Sequence, residues 1–388
     1  MSVYLDHNAT SPIRPEARAA ALDALDVGGN PSAQHARGRQ ARAVIETARE
    51  QVARLVGAAS PDRLIFTSGG VEANNLVTEA AVAAGCRRLL VGAIEHSSVR
   101  LSAEAAASAD VEVEHAPVTA DGVIDLDWLD ARLRDWRDAE GPPFLALMVA
   151  NNESGVIQPL AEAAAMVHAR GGRVHADAVP AAGKIPLDLE ALGADTLSLA
   201  AHKLGGPQGC GALLWRTDAT RPLKRLHGGG QERGLRAGTE NLAGIAGFAA
   251  AAEAARAELA AGHPAEQAEH RDAAAAAIRS VVPDVVVFGE AAPRLPNTLF
   301  FATPEVTAER QVMALDLAGV MVSAGAACAS GKAKSSRVAE MMGREDLAAC
   351  AIRVSAGWNT TPADWVRFTE VWLAAHERWA ANRQKAAA

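Results

Sequence analysis

Aromatic residues are scarce in this chain: they make up 4% of its 388 residues, and Tyr4 is the single tyrosine. A core drawn from such a sequence is aliphatic and alanine-rich. Hydrophobic residues at 49% supply enough apolar surface for a sizeable one, which excludes a disordered chain. Cysteine is scarcer still. Cys86, Cys210, Cys328 and Cys350 are widely spread and form no CxxC pair, so neither a disulfide scaffold nor a zinc knuckle is encoded. Positive charge is not in excess either. Lys plus Arg number 38 against 46 Asp plus Glu, a formal charge of −8, which leaves no electrostatic footprint for nucleic acid or an anionic membrane. No run of about eighteen apolar residues occurs, and Met1–His7 lacks the basic and apolar regions of a signal peptide. The expectation is a cytoplasmic protein, without membrane or nucleic-acid partners, acting on small molecules or other proteins. At this length two domains are expected, one large and one small.

What is present is a repeating alternation. Val44, Ala48, Val52 and Leu55 fall on one helical stripe between Arg37 and Val56. A strand-like run, Arg63–Thr67, then ends at Ser68-Gly69-Gly70, and Glu72–Ala84 reads as helix. Short apolar runs recur at 89–91, 144–149, 173–176, 196–199 and 212–215, with a helix over 159–170. Such alternation predicts βαβ units and a mainly parallel sheet. Near Thr239 the character changes. Two alanine-rich helices, 242–261 and 266–281, have no strand between them. Strands then return at 285–288, 297–301, 320–322 and 352–354 before a terminal helix over 362–383, which predicts a smaller α+β domain.

Two phosphate-loop patterns fail on inspection. Between Gly325 and Gly331 lie five residues instead of four, and Ala333 stands where a Walker A loop needs Ser or Thr. Gly206–Gly211 has its glycines in the wrong order for a dinucleotide fingerprint. The informative stretch lies elsewhere. One predicted strand ends in His175-Ala176-Asp177 and the next in Ala200-Ala201-His202-Lys203. Ligands of an open α/β sheet sit beyond these carboxyl ends. A carboxylate and a lysine there suit pyridoxal phosphate: the lysine bonds the aldehyde, and the carboxylate keeps the pyridine nitrogen protonated so that the ring accepts electrons. The same two residues also suit a structural ion pair at a sheet edge. Thr67–Gly70 leads from strand to helix and is positioned to hold a phosphate, or is an ordinary turn. His96 closes the strand at 89–91, where a ring could stack on a flat cofactor or serve structure alone. Cys328 sits among small residues, Ser323–Gly331, a segment expected to be an accessible loop. Cys86, Cys210 and Cys350 adjoin apolar runs and are better read as buried small hydrophobes. Arg353 could fork onto a carboxylate or form a rim salt bridge.

Taken in order, these pieces resemble the cysteine desulfurases of the NifS/IscS type, in aminotransferase class V. The likeness runs nearly end to end, through Tyr4–Thr10, Gly29–Ser32, Asn151–Val156, His202-Lys203, Gly228–Asn241, the Cys328 segment and Ile352–Ser355. It implies the type I pyridoxal-phosphate-dependent transferase fold, α/β, with a mainly parallel seven-stranded sheet. Residues 15–255 would form the large cofactor-binding domain. Residues 1–14 and 256–388 would form the small one, carrying Cys328 and Arg353. The resemblance further implies that Lys203 carries pyridoxal 5'-phosphate and moves the Cα proton, that Asp177 pairs with the ring nitrogen, and that His96 stacks on the ring. Asn152 would contact the ring oxygen or substrate carboxylate, and Arg353 would grip that carboxylate. Gly69, Gly70 and His202 would hold the phosphate, joined by Thr239 from the neighbour in a homodimer. Cys328 would attack the sulfur of L-cysteine, leaving a persulfide and releasing alanine. The sulfur would pass to an acceptor protein for iron–sulfur cluster assembly or thiolation. No resident metal is expected, though Cys328 could be a transient iron–sulfur ligand. Three positions depart from the pattern. Val71 replaces a phosphate-binding threonine, Ala200 a serine, and Pro180 a glutamine that donates to the ring oxygen. The alternatives are a related class V lyase or aminotransferase, such as a selenocysteine lyase, and a cofactor-poor paralogue acting as a binding protein.

Overall fold

The computed structural model describes residues 2–304, 306–325 and 335–387. The chain begins with a two-residue strand, β1 (Val3–Tyr4), and the helices α1 (Pro15–Val27) and α2 (Ala36–Leu55). It then lays down β2 (Leu64–Thr67), α3 (Gly70–Ala83), β3 (Arg88–Gly92), α4 (Ser97–Ala106), β4 (Glu112–Ala116), α5 (Leu126–Arg134), β5 (Phe144–Ala146) and α6 (Leu160–His168). The strands β6 (Arg173–Asp177), β7 (Thr196–Ala200) and β8 (Gly211–Trp215) complete a seven-stranded sheet of order β2-β8-β7-β6-β5-β3-β4. Only β8 runs against its neighbours, so the sheet is mainly parallel, as the alternation predicts. In β6, β7 and β8 nearly every residue is buried, because helices cover both faces of a parallel sheet.

Strands β1 and β4 and helices α1, α4 and α5 escaped the sequence pattern, and two of these show why. Strand β4 lies at the sheet edge and reads Glu-Val-Glu-His-Ala, with only Ala116 buried, so it offers no apolar run. Helix α1, with Pro15 at its start, buries only Ala17 and Ala24, and its small apolar side chains carry little periodic signal.

After β8 the chain enters α7 (Leu242–Ala260) and α8 (His263–Val281) with no strand between them. Helix α7 buries residues around most of its circumference, packing on α1 and α2 beside the large sheet. Helix α8 starts three residues earlier than the sequence suggests, with Pro264 in its first turn, where a missing N–H costs nothing. It packs on the terminal helix α11 (Pro362–Ala387). Between them come β9 (Val286–Val287), β10 (Thr298–Ala302), α9 (Ala308–Leu317), β11 (Val320–Met321), β12 (Ser323–Ala324), α10 (Arg337–Met341) and β13 (Ala351–Ser355). Strands β12, β13, β10 and β9 form an antiparallel sheet, while β11 pairs in parallel with β1. Alternation along β10 serves two cores. Leu299 and Phe301 join a cluster around Trp372, whereas Phe300 and Ala302 face Val338 and Met342. The indole of Trp372 donates to Gln311 Oε1 at 3.0 Å, which satisfies its only polar atom. Tyr4 to Asp6 follow β11 and β13 back toward the large sheet, bringing Asn8 against Ser355.

Candidate active site

The carboxyl ends of β2, β3, β6 and β7 converge on one cavity of about 260 Å³. Asp177 is the last residue of β6. Ala200 ends β7, and a short 3₁₀ turn, Ala201–Lys203, follows it directly. Gly69 and Gly70 open α3 where β2 ends, and His96 caps the amino end of α4 just beyond β3. Two glycines are dictated by close approach. A Cβ on Gly70 would lie 2.9 Å from Val179 Cγ2, and one on Gly211 would lie 2.7 Å from the Gly69 backbone. From the other sheet, β13 contributes Arg353, opposite Phe300 of β10.

Ten of the residues singled out in the sequence line this one cavity: Gly70, Val71, His96, Asn152, Asp177, Pro180, Ala200, His202, Lys203 and Arg353. Gly69 adjoins it as the helix cap. Thr239 does not line it; it is exposed on the loop preceding α7. Cys328 lies outside the described residues.

Each polar group is held by identifiable partners. Asp177 is 2% exposed. Its oxygens accept from Asn74 Nδ2 at 3.0 Å and from the Val179 backbone N–H at 2.9 Å, both neutral donors. Lys203 Nζ donates to the carbonyls of Asn8 and, at 2.8 Å, Ala9. His202 pairs with Thr10 Oγ1 at 3.2 Å; burial, then Lys203 and Lys184, lower its pKa to about 4, so its ring is neutral. His96 Nδ1 accepts from the Ser98 backbone N–H at 3.1 Å, fixing the ring at the helix start. The Arg353 guanidinium donates to Asp6 Oδ1 at 2.7 Å and to the Asn152 carbonyl at 3.1 Å, while its buried Nε has no hydrogen-bond partner among the described residues. The salt bridge and a place in the cavity lining therefore coexist in one side chain.

Several participants went unnoticed in the sequence. Asn8 lines the cavity and bonds Thr298 Oγ1, Asn297 Nδ2 and Lys184 Nζ through its side chain. Lys184 also donates to the Pro180 carbonyl at 2.8 Å; burial, then Lys203 and Arg353, bring its pKa down to about 7. Burial, reinforced by Asp177, pushes the Glu95 carboxyl well above the usual range. Glu153, bonded to Ser336 Oγ at 2.7 Å, is raised by burial to about 7. The signal for Lys184 was its place in Gly183-Lys184-Ile185 just past Asp177. Asn74 and Asn8 carried none, because their partners lie far away in the chain. A second cavity of about 230 Å³ shares Lys203 and is walled by His7, Arg14, Glu258 and Trp358. Its principal ions are already paired, Arg14 with Glu258.

Cys86, Cys210 and Cys350 are buried thiols. Burial raises Cys86 to about 11 and Cys210 to about 12, which keeps both protonated and unreactive.

The sequence model of the aminotransferase class-V family matches residues 3–368, nearly the whole chain. The chain belongs to the class-V aminotransferase family. Among class-V proteins it is 40% identical to a curated cysteine desulfurase of Cereibacter sphaeroides over 377 residues, covering 95% of this chain and 94% of that one. The solved NifS-like protein of Rickettsia africae superposes with a TM-score of 0.86 at 30% identity, covering 97% of this chain and 100% of the other. The structure of SspA in complex with cysteine matches with a TM-score of 0.74 at 25% identity, over 91% of this chain and 98% of that one. These likenesses fix the class-V fold, whose large mainly parallel sheet carries the cavity.

Proposed function

We propose that this class-V protein is a pyridoxal-phosphate-dependent cysteine desulfurase, converting L-cysteine to L-alanine and taking the sulfur onto Cys328. The observation that carries the reading is the meeting of Asp177, Lys203 and Arg353 in the lining of one cavity. The named relatives and the cysteine complex of SspA support the same substrate.

The residues fit the cofactor. Among the described residues the buried Asp177 carboxylate is met by neutral donors, so a protonated ring nitrogen would supply the cation it lacks. At the other end the start of α3 presents backbone N–H groups toward an anion. Val71 and Ala200 make this end apolar, leaving His202, the Gly69–Gly70 backbone and a neighbour's Thr239 as the donors. When bound, pyridoxal phosphate supplies an aldehyde that combines with amines and a ring that accepts an electron pair. The chain does the rest. Asp177 would hold a proton at the ring nitrogen, His96 would lie against the ring, and Asn152 and Arg353 would orient the substrate carboxylate. Lys203, released from the Asn8 and Ala9 carbonyls, moves the proton at the substrate Cα. The Cys328 thiolate attacks the substrate sulfur. An S–S bond forms as the C–S bond breaks, and a proton replaces sulfur at Cβ, so alanine leaves and a persulfide remains. A sulfur-acceptor protein then takes the outer sulfur, in a cytoplasmic homodimer.

Mass spectrometry after brief exposure to L-cysteine tests this. The expected result is one added sulfur on the peptide holding Cys328, with alanine released, and loss of both in Lys203→Ala. Cys328→Ala should bind cysteine yet transfer no sulfur. Added sulfur only on Cys86, Cys210 or Cys350, or undiminished sulfide release by Cys328→Ala, would overturn the reading.

A further inference from the structure

One well-connected polar side chain of the cavity lining donates to Asp177 and reaches beyond it. Asn74 lies on α3 and is 1% exposed. Its Nδ2 donates to Asp177 Oδ2 at 3.0 Å and to Ser98 Oγ at 2.8 Å, and its Oδ1 faces His175 Nε2 at 2.9 Å. An amide nitrogen carries two protons, and both are used here. Oδ1 can only accept, so the His175 proton sits on Nε2, and Nδ1 takes the Thr196 hydroxyl at 2.9 Å. Burial lowers His175 to about 4, which keeps this ring neutral. On the other branch Ser98 Oγ accepts from Asn74, while the Ser98 backbone N–H donates to His96 Nδ1 at 3.1 Å; Nδ1 is thereby an acceptor, and it takes the Ser98 hydroxyl proton at 2.7 Å. A nitrogen that accepts these bonds bears no proton. The proton of a neutral His96 is therefore on Nε2. The direction of the chain is enforced by charge: a flipped amide would set its oxygen against the Asp177 carboxylate, acceptor against acceptor.

We infer that Asn74 is a positioning residue for the cofactor site, holding Asp177 Oδ2 as an acceptor and holding the neighbouring His175 in its Nε2–H tautomer. The inference rests on the desulfurase reading only in that Asp177 meets the ring. The tautomer belongs to the chain itself.

Long-range ¹H–¹⁵N spectra of the imidazoles in the full-length protein test it, before and after adding pyridoxal phosphate, with His175 assigned through His175→Gln. The parent should show the Nε2–H form of His175. Ser98→Ala removes only the Ser98 hydroxyl, so the His175 tautomer should persist and cofactor affinity should stay within about twofold. Asn74→Ala removes the acceptor facing His175 Nε2 and a donor to Asp177, so the His175 tautomers should mix and cofactor binding should weaken by about tenfold or more. An Nδ1–H form of His175 in the parent, or parental tautomer and affinity in Asn74→Ala, would each overturn the inference. Failure of the parent to bind pyridoxal phosphate would instead overturn the cofactor reading, and the His175 tautomer in Asn74→Ala would still decide the role of Asn74.

Discussion

Restoring the two hydroxyls at the phosphate end, Val71→Thr and Ala200→Ser, should have opposite consequences for the protein with and without cofactor. Ala200 is 3% exposed at the end of β7, and Val71 is 59% exposed on the cavity rim. A hydrogen bond to a charged group is worth about 1.5–3 kcal/mol when both partners stay dry. At buried Ala200 that range applies nearly in full and corresponds to at least about tenfold tighter cofactor binding. At exposed Val71 water competes, so the gain falls to about 0.5–1 kcal/mol, a few-fold in affinity. In the cofactor-free protein the signs differ. A serine hydroxyl at 200 is buried without a mate and costs about 1–3 kcal/mol, whereas threonine at 71 is nearly neutral. Titration of the cofactor-free protein with pyridoxal phosphate gives the affinities, and urea unfolding with and without cofactor gives the stabilities. The expected pattern is a large affinity gain with a stability loss for Ala200→Ser, and a small gain with no loss for Val71→Thr. Equal affinity in the parent and the double variant would refute the reasoning, showing that His202 and the helix start already saturate the phosphate.

Two further expectations concern buried charge. The Arg49 and Glu232 side chains are 1% and 2% exposed, and the carboxylate also accepts from the Phe66 N–H at 2.8 Å in the strand leading to Gly69. Glu232→Ala should cost about 3–5 kcal/mol in urea unfolding, because it strands a buried guanidinium. Glu232→Gln should cost clearly less, and equal losses would argue against this account. Lys184 faces Lys203, Arg353, His7 and His202, and its folded pKa of about 7 lies below that of the unfolded chain. The unfolded state therefore binds more protons between pH 7 and the usual lysine range, and the burden of burying this ammonium is full below that window and fades as pH rises through it. Lys184→Met should stabilise the protein most at pH 6–7, with the gain shrinking toward pH 10; a gain independent of pH would remove the electrostatic explanation.

Much of this site was legible in the chain itself. Asp177 and Lys203 each follow a short buried apolar run, and in a parallel sheet such positions project from the carboxyl edge, whatever else surrounds them. The glycines at 69 and 70 and the cap at His96 follow from local turn and helix rules. The edge strand β4 was not legible, since half-exposed Glu112, Glu114 and His115 give no apolar run, and nor was the face that alanine-rich α7 would bury. What only the tertiary structure decided are the partners. Asn74 meets Asp177 across 103 positions and His175 across 101, and Asn8 meets Thr298 across 290. Arg353 meets Asp6 across 347, which decided that the arginine is salt-bridged and still lines the cavity. Periodicity reports which side of an element is dry, because burial is a property of each residue alone. A hydrogen bond between remote side chains is a property of the pair, and its direction is set only when packing has brought donor and acceptor together.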